Sequence, residues 1–295
     1  MIHYGSCPVC DSPGINKVIT ATDHTVSGEL FEIWQCANCS LRFTQDIPEP
    51  EKIAGYYKSE SYISHTETNK GIVNWLYLQV RKFTLSGKRK LIEKITGVKK
   101  GWLLDIGAGT GAFVSYMSAA GWRTEGLEPD DSAIKRAAAA YGVQLKPSSE
   151  LFNLAPAMYD AITMWHVLEH VHDLHGYVEQ LKKLVKPSGK IFIAVPNYTS
   201  FDADHYGASW AAYDVPRHLY HFSPASMKTH MEEHDLKITS IHPMWFDSYY
   251  VSLLSEKYRS GSSSLIKGFW SGFRSNNRAF SNNRKASSLI YVIQA

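Results

Sequence analysis

The feature that most constrains this chain is the run Trp102-Leu103-Leu104-Asp105-Ile106, followed at once by Gly107-Ala108-Gly109-Thr110-Gly111. The first five residues read as a buried strand and the glycines as a tight turn. Ala112 to Ala120, closed by Gly121, reads as the helix that leaves the turn. A strand, a glycine turn and a helix in that order open a βαβ unit, and such units assemble into a mostly parallel sheet with helices on both faces. Glycines without a Cβ let the backbone approach a ligand, and the helix start offers N–H groups to it.

Gly107, Gly109 and Ala112 also satisfy the dinucleotide pattern GxGxxG/A, so the glycines alone leave an NAD-dependent oxidoreductase open. Asp105 separates the cases. A carboxylate beside the turn repels a pyrophosphate and attracts a cation, and S-adenosylmethionine carries both an ammonium and a sulfonium. A second strand, Arg123 to Leu127, ends in Glu128, 19 residues after Gly109, where a carboxylate can accept both hydroxyls of a ribose.

All four cysteines lie in two pairs, Cys7-Pro8-Val9-Cys10 and Cys36-Ala37-Asn38-Cys39, with 25 residues between the pairs. Two such knuckles can close four thiolates into a tetrahedron around structural Zn²⁺, leaving no open position for a substrate. The β-forming stretch Ile15 to Ile33, with a turn at Ser27-Gly28, suits the hairpin of a small zinc ribbon. A redox role would need one pair only, and no thioredoxin-like pattern surrounds either. Tyr56, Tyr57, Lys58 and Tyr62 follow. A helical pattern then runs from Asn69 to Ile95, with Ile72, Trp75, Leu76, Val80 and Phe83 on its apolar positions. It reads as a helix covering the next domain, with a lid over the cofactor pocket as the sharper alternative.

At 295 residues the chain has room for one large domain and a small one. Its net charge of +3 lacks the basic excess of a protein that lives on nucleic acid. No basic start followed by a long apolar run is present, so neither a secretory signal nor a membrane span is expected, and a cytoplasmic location is.

The motifs together resemble those of the class I methyltransferases that use S-adenosylmethionine. Leu104 to Gly111 is similar to that family's first motif and Glu128 to its second. Tyr159-Asp160-Ala161-Ile162 into Met164-Trp165-His166-Val167-Leu168-Glu169-His170-Val171 is similar to the fourth-strand motif, and Leu184 to Asn197 to a helix, Pro-Gly turn and fifth strand. The resemblance spans about residues 100 to 245, with Leu289 to Gln294 as a last strand. It implies a Rossmann-like, seven-stranded, mostly parallel α/β sheet. The expected division is a zinc ribbon over 1–48, a connecting helical or lid segment over 49–98 and the methyltransferase domain over 99–295. It also implies a cofactor pocket of Asp105, Gly107, Ala108, Gly109, Gly111, Phe113, Glu128, Pro129, Trp165 and His166. Many relatives place an acid after the third strand to meet adenine, whereas Lys146-Pro147-Ser148-Ser149 offers hydroxyls.

Residues 198–222 interrupt the strand and helix alternation with a long aromatic loop at the active end, and long loops there carry function. Gly207 to Trp210 and Asp214 to Ser223 resemble a branch of the family associated with cell-surface polysaccharide and other glycan biosynthesis. More distantly the chain is similar to sugar C-methyltransferases, which share a four-cysteine zinc module and a Tyr-x-Glu-His cluster. Val215, Pro216, Arg217 and His218 stand at those positions, and only the histidine is kept. O-methylation of a small acceptor, such as a nucleotide-linked sugar or glycan precursor, is therefore expected over C-methylation. His218 is the expected base with His166 as a second candidate, and Trp210, Asp214, Arg217, Tyr220 and His221 are expected to bind the acceptor. For His218 the alternative is loop packing; for Arg217, the expected clamp for phosphate or carboxylate, it is a salt bridge to Asp214.

The tail over 246–286 carries aromatic and basic residues at helical spacing and reads as a packed lid. Lys267, Phe269, Trp270, Phe273, Arg274 and Arg278 leave contact with a membrane surface as the alternative. An RNA base methyltransferase with a zinc module and a non-catalytic cofactor-binding protein are the remaining rivals.

Overall fold

The computed structural model describes residues 1–57, 72–262 and 264–295. Lys58, Tyr62 and the side chains of Ile72, Trp75 and Leu76, on which the lid reading of the connecting segment leaned, lie outside what is described.

Eleven strands form two sheets among the described residues. The larger holds β4 (Trp102–Ile106), β5 (Arg123–Glu128), β6 (Lys146–Pro147), β7 (Tyr159–Trp165), β8 (Val185–Pro196), β10 (Lys237–Pro243) and β11 (Ser288–Gln294), in the order β10-β11-β8-β7-β4-β5-β6. Pairings from β8 through β6 are parallel, while β11 runs antiparallel to both β8 and β10. The fold is thus the expected Rossmann-like, seven-stranded, mostly parallel sheet with helices packed around it. Strands β4, β7 and β11 and the second half of β8 read as nearly continuous apolar runs because both faces of the middle of the sheet are covered. The order reverses at β4, which has β5 on one side and β7 on the other. A crevice therefore opens beyond the carboxyl ends of β4 and β7.

One local expectation is corrected. The Pro187-Ser188-Gly189 segment is not a separate turn before the fifth strand. β8 begins at Val185, pairs with Tyr159, and shifts register before Ala161 meets Lys190. Pro187, Ser188 and Gly189 are absorbed as an irregularity in the strand.

The second sheet joins regions far apart in sequence. Strands β1 (Ile15–Thr22), β2 (Leu30–Cys36) and β3 (Arg42–Thr44) form an antiparallel sheet, and its last strand is β9 (Tyr220–His221), supplied by the loop over 198–222. The expected turn at Ser27-Gly28 is the end of a seven-residue loop organised by Asp23, whose carboxylate accepts from the amides of Thr25, Val26 and Ser27 at 2.8–3.1 Å.

The connecting helix spans Ile72–Thr96. The tail forms two helices, Asp247–Ser260 and Leu265–Ser281, packed against each other. Their contact face is small: a Cβ on Gly272 would stand 2.8 Å from the Tyr249 backbone, and Ser271, Ser275 and Ala279 are buried beside it. Leu265, Ile266, Phe269, Trp270 and Phe280 point outward on the second helix. Among the described residues no helix is long and apolar enough to cross a membrane.

Candidate active site

The turn after β4 is built without a Cβ where one would collide. At Gly107 an added methyl group would run into the Val167 side chain, and Gly109 holds a φ of +54° that side-chain-bearing residues rarely adopt. The amides of Gly107 and Ala108 both donate to the Leu127 carbonyl, at 2.8 and 2.9 Å, and Gly109 donates to Glu128 Oε2 at 2.7 Å. These N–H groups are committed to β5. They do not form the inward-facing amide cradle that a pyrophosphate requires, and the ligand side of the turn is lined by carboxylates instead.

Asp105 is buried, with 2% of its surface exposed, and accepts from Thr163 Oγ1 at 2.6 Å. Burial lifts its carboxyl to about 7, against the pull of the Thr163 hydrogen bond and of the Lys88 ammonium. Glu128 is likewise raised by burial, while the Asp130 and Gly109 amides favour its charged form. Lys88 comes from the connecting helix, and its ammonium stands 4.0 Å from the centre of the Trp165 ring. Burial draws Lys88 down to about 8, with Asp105 and Asp247 pulling the other way. Phe113 meets Trp165 edge-on at 5.6 Å, and among the described residues the buried Trp165 Nε1 has no hydrogen-bond partner. Two acids, an aromatic face already holding a cation, and an unspent donor thus converge at the reversal of strand order. Those features fit a ligand with positive charge and polar acceptors. Pro129, next to Glu128, is exposed, and Gly111, at the start of the helix Ala112–Ala119, is buried.

His166 follows β7 with a φ of +58° and bridges two acids, Nε2 to Asp247 Oδ2 at 2.9 Å and Nδ1 to Glu169 Oε1 at 3.3 Å. Burial alone would lower it, yet Asp247 and Glu169 hold it at about 10. An imidazole kept cationic at neutral pH has no lone pair to accept a proton. The structure therefore places His166 as a clasp between the sheet and the first tail helix, a correction to its reading as a base.

His218 is 9% exposed, and its Nδ1 lies 2.8 Å from the Ala212 carbonyl. A carbonyl only accepts, so Nδ1 carries the hydrogen and, in the neutral ring, the lone pair is on Nε2. Its ring meets that of His170 edge-on at 4.6 Å, and His170, His218 and Glu169 each bring a polar atom within 4.8 Å of the others. Glu169 is fully buried, and its Oε2 has no partner among the described residues. Burial lowers His170 to about 4, so it is neutral there. Neither the contact of Glu169 with His166 nor the position of Lys88 was visible in the sequence, because each depends on which helix face turns inward.

The five residues expected to hold the acceptor are spent elsewhere. Trp210 is 1% exposed and donates to Asp202 at 2.8 Å. Arg217, also 1% exposed, reaches Asp23 at 2.8 Å, Asp214 at 2.7 Å and the Tyr56 carbonyl at 2.8 Å. Tyr220 bonds Tyr4 and the His172 carbonyl, and His221 meets Thr44. The physical reason is the length of the loop. A segment this long must build its own core against the β1–β2 hairpin and pair every polar group it buries. Trp210, Asp214, Arg217, Tyr220 and His221 form that scaffold. A surface groove lined by Tyr198, Ser223, Lys228 and Arg284 shares no residue with the crevice.

At the other end, the sulfur of Cys7 lies 3.5 Å from that of Cys39 and Cys10 Sγ lies 3.7 Å from Cys36 Sγ, with all four atoms within 4.8 Å of one another and no disulfide. Tetrahedral zinc with bonds of about 2.3 Å sets its sulfurs about 3.8 Å apart. Amides of Val9, Asn38 and Cys39 point at these sulfurs.

Residues 80–241 match the family described as a methyltransferase domain. A ubiquinone biosynthesis O-methyltransferase of Maricaulis maris is 29% identical over 51% of this chain, which spans 62% of that protein's length. One from Bordetella pertussis is 25% identical over 62% of this chain and 89% of its own. Among solved structures, a SAM-dependent methyltransferase from Archaeoglobus fulgidus covers 73% of this chain and 94% of its own at a TM-score of 0.50 and 18% identity. A Burkholderia thailandensis 1,6-didemethyltoxoflavin-N1-methyltransferase with bound S-adenosylhomocysteine covers 92% and 98% at 0.51 and 12%.

Proposed function

Because this chain belongs to the class I S-adenosylmethionine-dependent methyltransferase family, we propose that it methylates a hydroxyl oxygen of a small acceptor. The observation that carries the reading is the cation site at the β4–β7 reversal, where Asp105 is buried and the Trp165 face already receives the Lys88 ammonium. We assign Asp105, the turn Gly107 to Gly111, Phe113, Glu128, Pro129 and Trp165 to holding the cofactor. When bound, S-adenosylmethionine supplies a methyl group on a cationic sulfur. The protein's own part is to align acceptor and donor and to remove the hydroxyl proton.

His218 Nε2 is the proposed acceptor of that proton, with buried Glu169 beside it to stabilise the resulting imidazolium. His166 serves as a positioning residue that ties Asp247, and with it the tail helices over 246–286, to the pocket. The likeness of Gly207 to Trp210 and Asp214 to Ser223 to the glycan-associated branch supports a sugar or glycan precursor as acceptor. The names of the relatives, ubiquinone biosynthesis O-methyltransferases, favour an acceptor hydroxyl of ubiquinone biosynthesis as the second reading. The proposed organisation keeps a zinc module over 1–48, with Cys7, Cys10, Cys36 and Cys39 as the metal's ligands, a connecting segment over 49–98 and the catalytic domain over 99–295. The loop over 198–222 is shared with the zinc module through β9.

Replacing His218 with alanine is expected to lower turnover about 100-fold or more, with S-adenosylmethionine affinity near that of the unchanged protein. Single-turnover kinetics beside calorimetry checks this. Turnover within about twofold of the unchanged protein removes His218 from the reaction.

A further inference from the structure

Away from the crevice, three histidines converge beneath the first cysteine knuckle. His175 lies in the first turn of the helix Leu174–Leu184, His230 near the end of the helix Pro224–Glu232, and His234 in the turn that follows it. Their rings stand 4.9–5.2 Å apart, and each offers a nitrogen within 4.8 Å of the others.

The outer hydrogen bonds dictate what the inner nitrogens present. His175 Nε2 lies 3.0 Å from the Pro8 carbonyl, which only accepts, so Nε2 carries the hydrogen. His234 Nδ1 lies 2.7 Å from Glu179, whose carboxyl is held below its ordinary value first by this same hydrogen bond, so Nδ1 carries the hydrogen there. In the neutral rings, His175 Nδ1 and His234 Nε2 therefore face each other with lone pairs at a separation of only 2.8 Å. Two lone pairs at that distance repel unless a positive centre lies between them.

His230 supplies a third. It is fully buried, and among the described residues neither ring nitrogen meets a hydrogen-bond partner, the Leu174 carbonyl approaching one of them only loosely. Burial holds the ring neutral. A shared proton would relieve the His175–His234 conflict and leave His230 unsatisfied. One metal ion relieves all three.

We infer that His175, His230 and His234 form a second metal site, taking a divalent late transition ion of the zinc class through three imidazole nitrogens. Imidazole is the ligand such ions favour, and nitrogens this close are spanned by one ion at bond lengths of about 2.0–2.1 Å after small ring rotations. Glu179 behind His234 and the Pro8 carbonyl behind His175 are the outer partners that fix a ligating imidazole's tautomer. Exposed His175 leaves the ion's fourth position toward solvent. Because Pro8 sits inside the Cys7–Cys10 knuckle, the ion ties that knuckle to two helices of the catalytic domain.

The test counts zinc in the full chain and in the His175→Gln and His234→Gln variants after dialysis against zinc sulfate and gel filtration. Protection of the four thiols against a disulfide reagent shows that the cysteine site is intact in each. Each variant is expected to hold one zinc fewer than the unchanged chain, with thiol protection and far-ultraviolet circular dichroism unaltered. His175 is exposed, so His175→Gln keeps the test valid even if His234→Gln fails to fold. Equal zinc in the unchanged chain and His175→Gln overturns the site, and the conflict at 2.8 Å is then met by a proton alone.

Discussion

Asp105 is under two opposed demands, one from burial and one from the charge it faces. Its carboxyl is lifted to about 7, above the ordinary range near 4, so the folded protein holds this proton more tightly than the unfolded chain. Its contribution to stability is fully present below the unfolded value and is lost as the pH rises through 7. A cationic ligand reverses the preference, since it attracts the charged form. Affinity for S-adenosylmethionine is accordingly expected to strengthen between pH 6 and 8. The Asp105→Asn variant is expected to bind about tenfold or more weakly and without that pH dependence, as read by calorimetry at both ends of the range. Parallel pH profiles for the two proteins would contradict the assignment. The position of Asp105 against the glycine turn could be read in the sequence because both are local. The charge on His166 could not, because one of its acids, Asp247, lies 81 residues away and only the packed tail brings it there.

Between elements, the β1–β2 hairpin and the loop over 198–222 are joined by Arg217, with Asp23 on one side and Asp214 on the other. Burial would raise Asp23, but the Arg217 hydrogen bond, the Ser27 amide and the Arg217 charge hold it at about 2. A depressed carboxyl contributes stability above its unfolded value of about 4 and loses it as the pH falls toward 2. Arg217→Met leaves two acids facing each other with no counterion and is expected to cost about 3–5 kcal/mol. A urea titration at neutral pH measures the loss, and one at pH 3 should show a smaller difference between the two proteins. A cost below about 1 kcal/mol at neutral pH would show that the ion pairs do not join the two elements. The sequence offered the Asp214 contact as an alternative because it lies three residues from Arg217. The Asp23 partner, 194 residues distant, was beyond any local pattern. Trp210, Tyr220 and His221 were taken for acceptor contacts for a related reason: aromatic loop residues look alike whether they face a ligand or build a core.

At the scale of the whole molecule, the alternation of strands and helices from Trp102 to Gln294 carried the sheet, since strands buried on both faces announce themselves as short apolar runs. The fusion of the cysteine-bearing sheet with the loop over 198–222 through β9 was not legible, because a two-residue strand has no periodicity to detect. The result is a Rossmann-like sheet with a crevice where β4 and β7 diverge, the proposed cofactor site, and a far loop paired through β9 with the N-terminal strands. That crevice presents acids and an aromatic face, while the Gly107, Ala108 and Gly109 amides of its turn are bound to β5. Calorimetry of the intact chain with S-adenosylhomocysteine and with NAD tests this account most directly. The account predicts saturable one-to-one binding of S-adenosylhomocysteine and none of NAD. No heat from S-adenosylhomocysteine or S-adenosylmethionine with folded protein, or tight binding of NAD in their place, would contradict it.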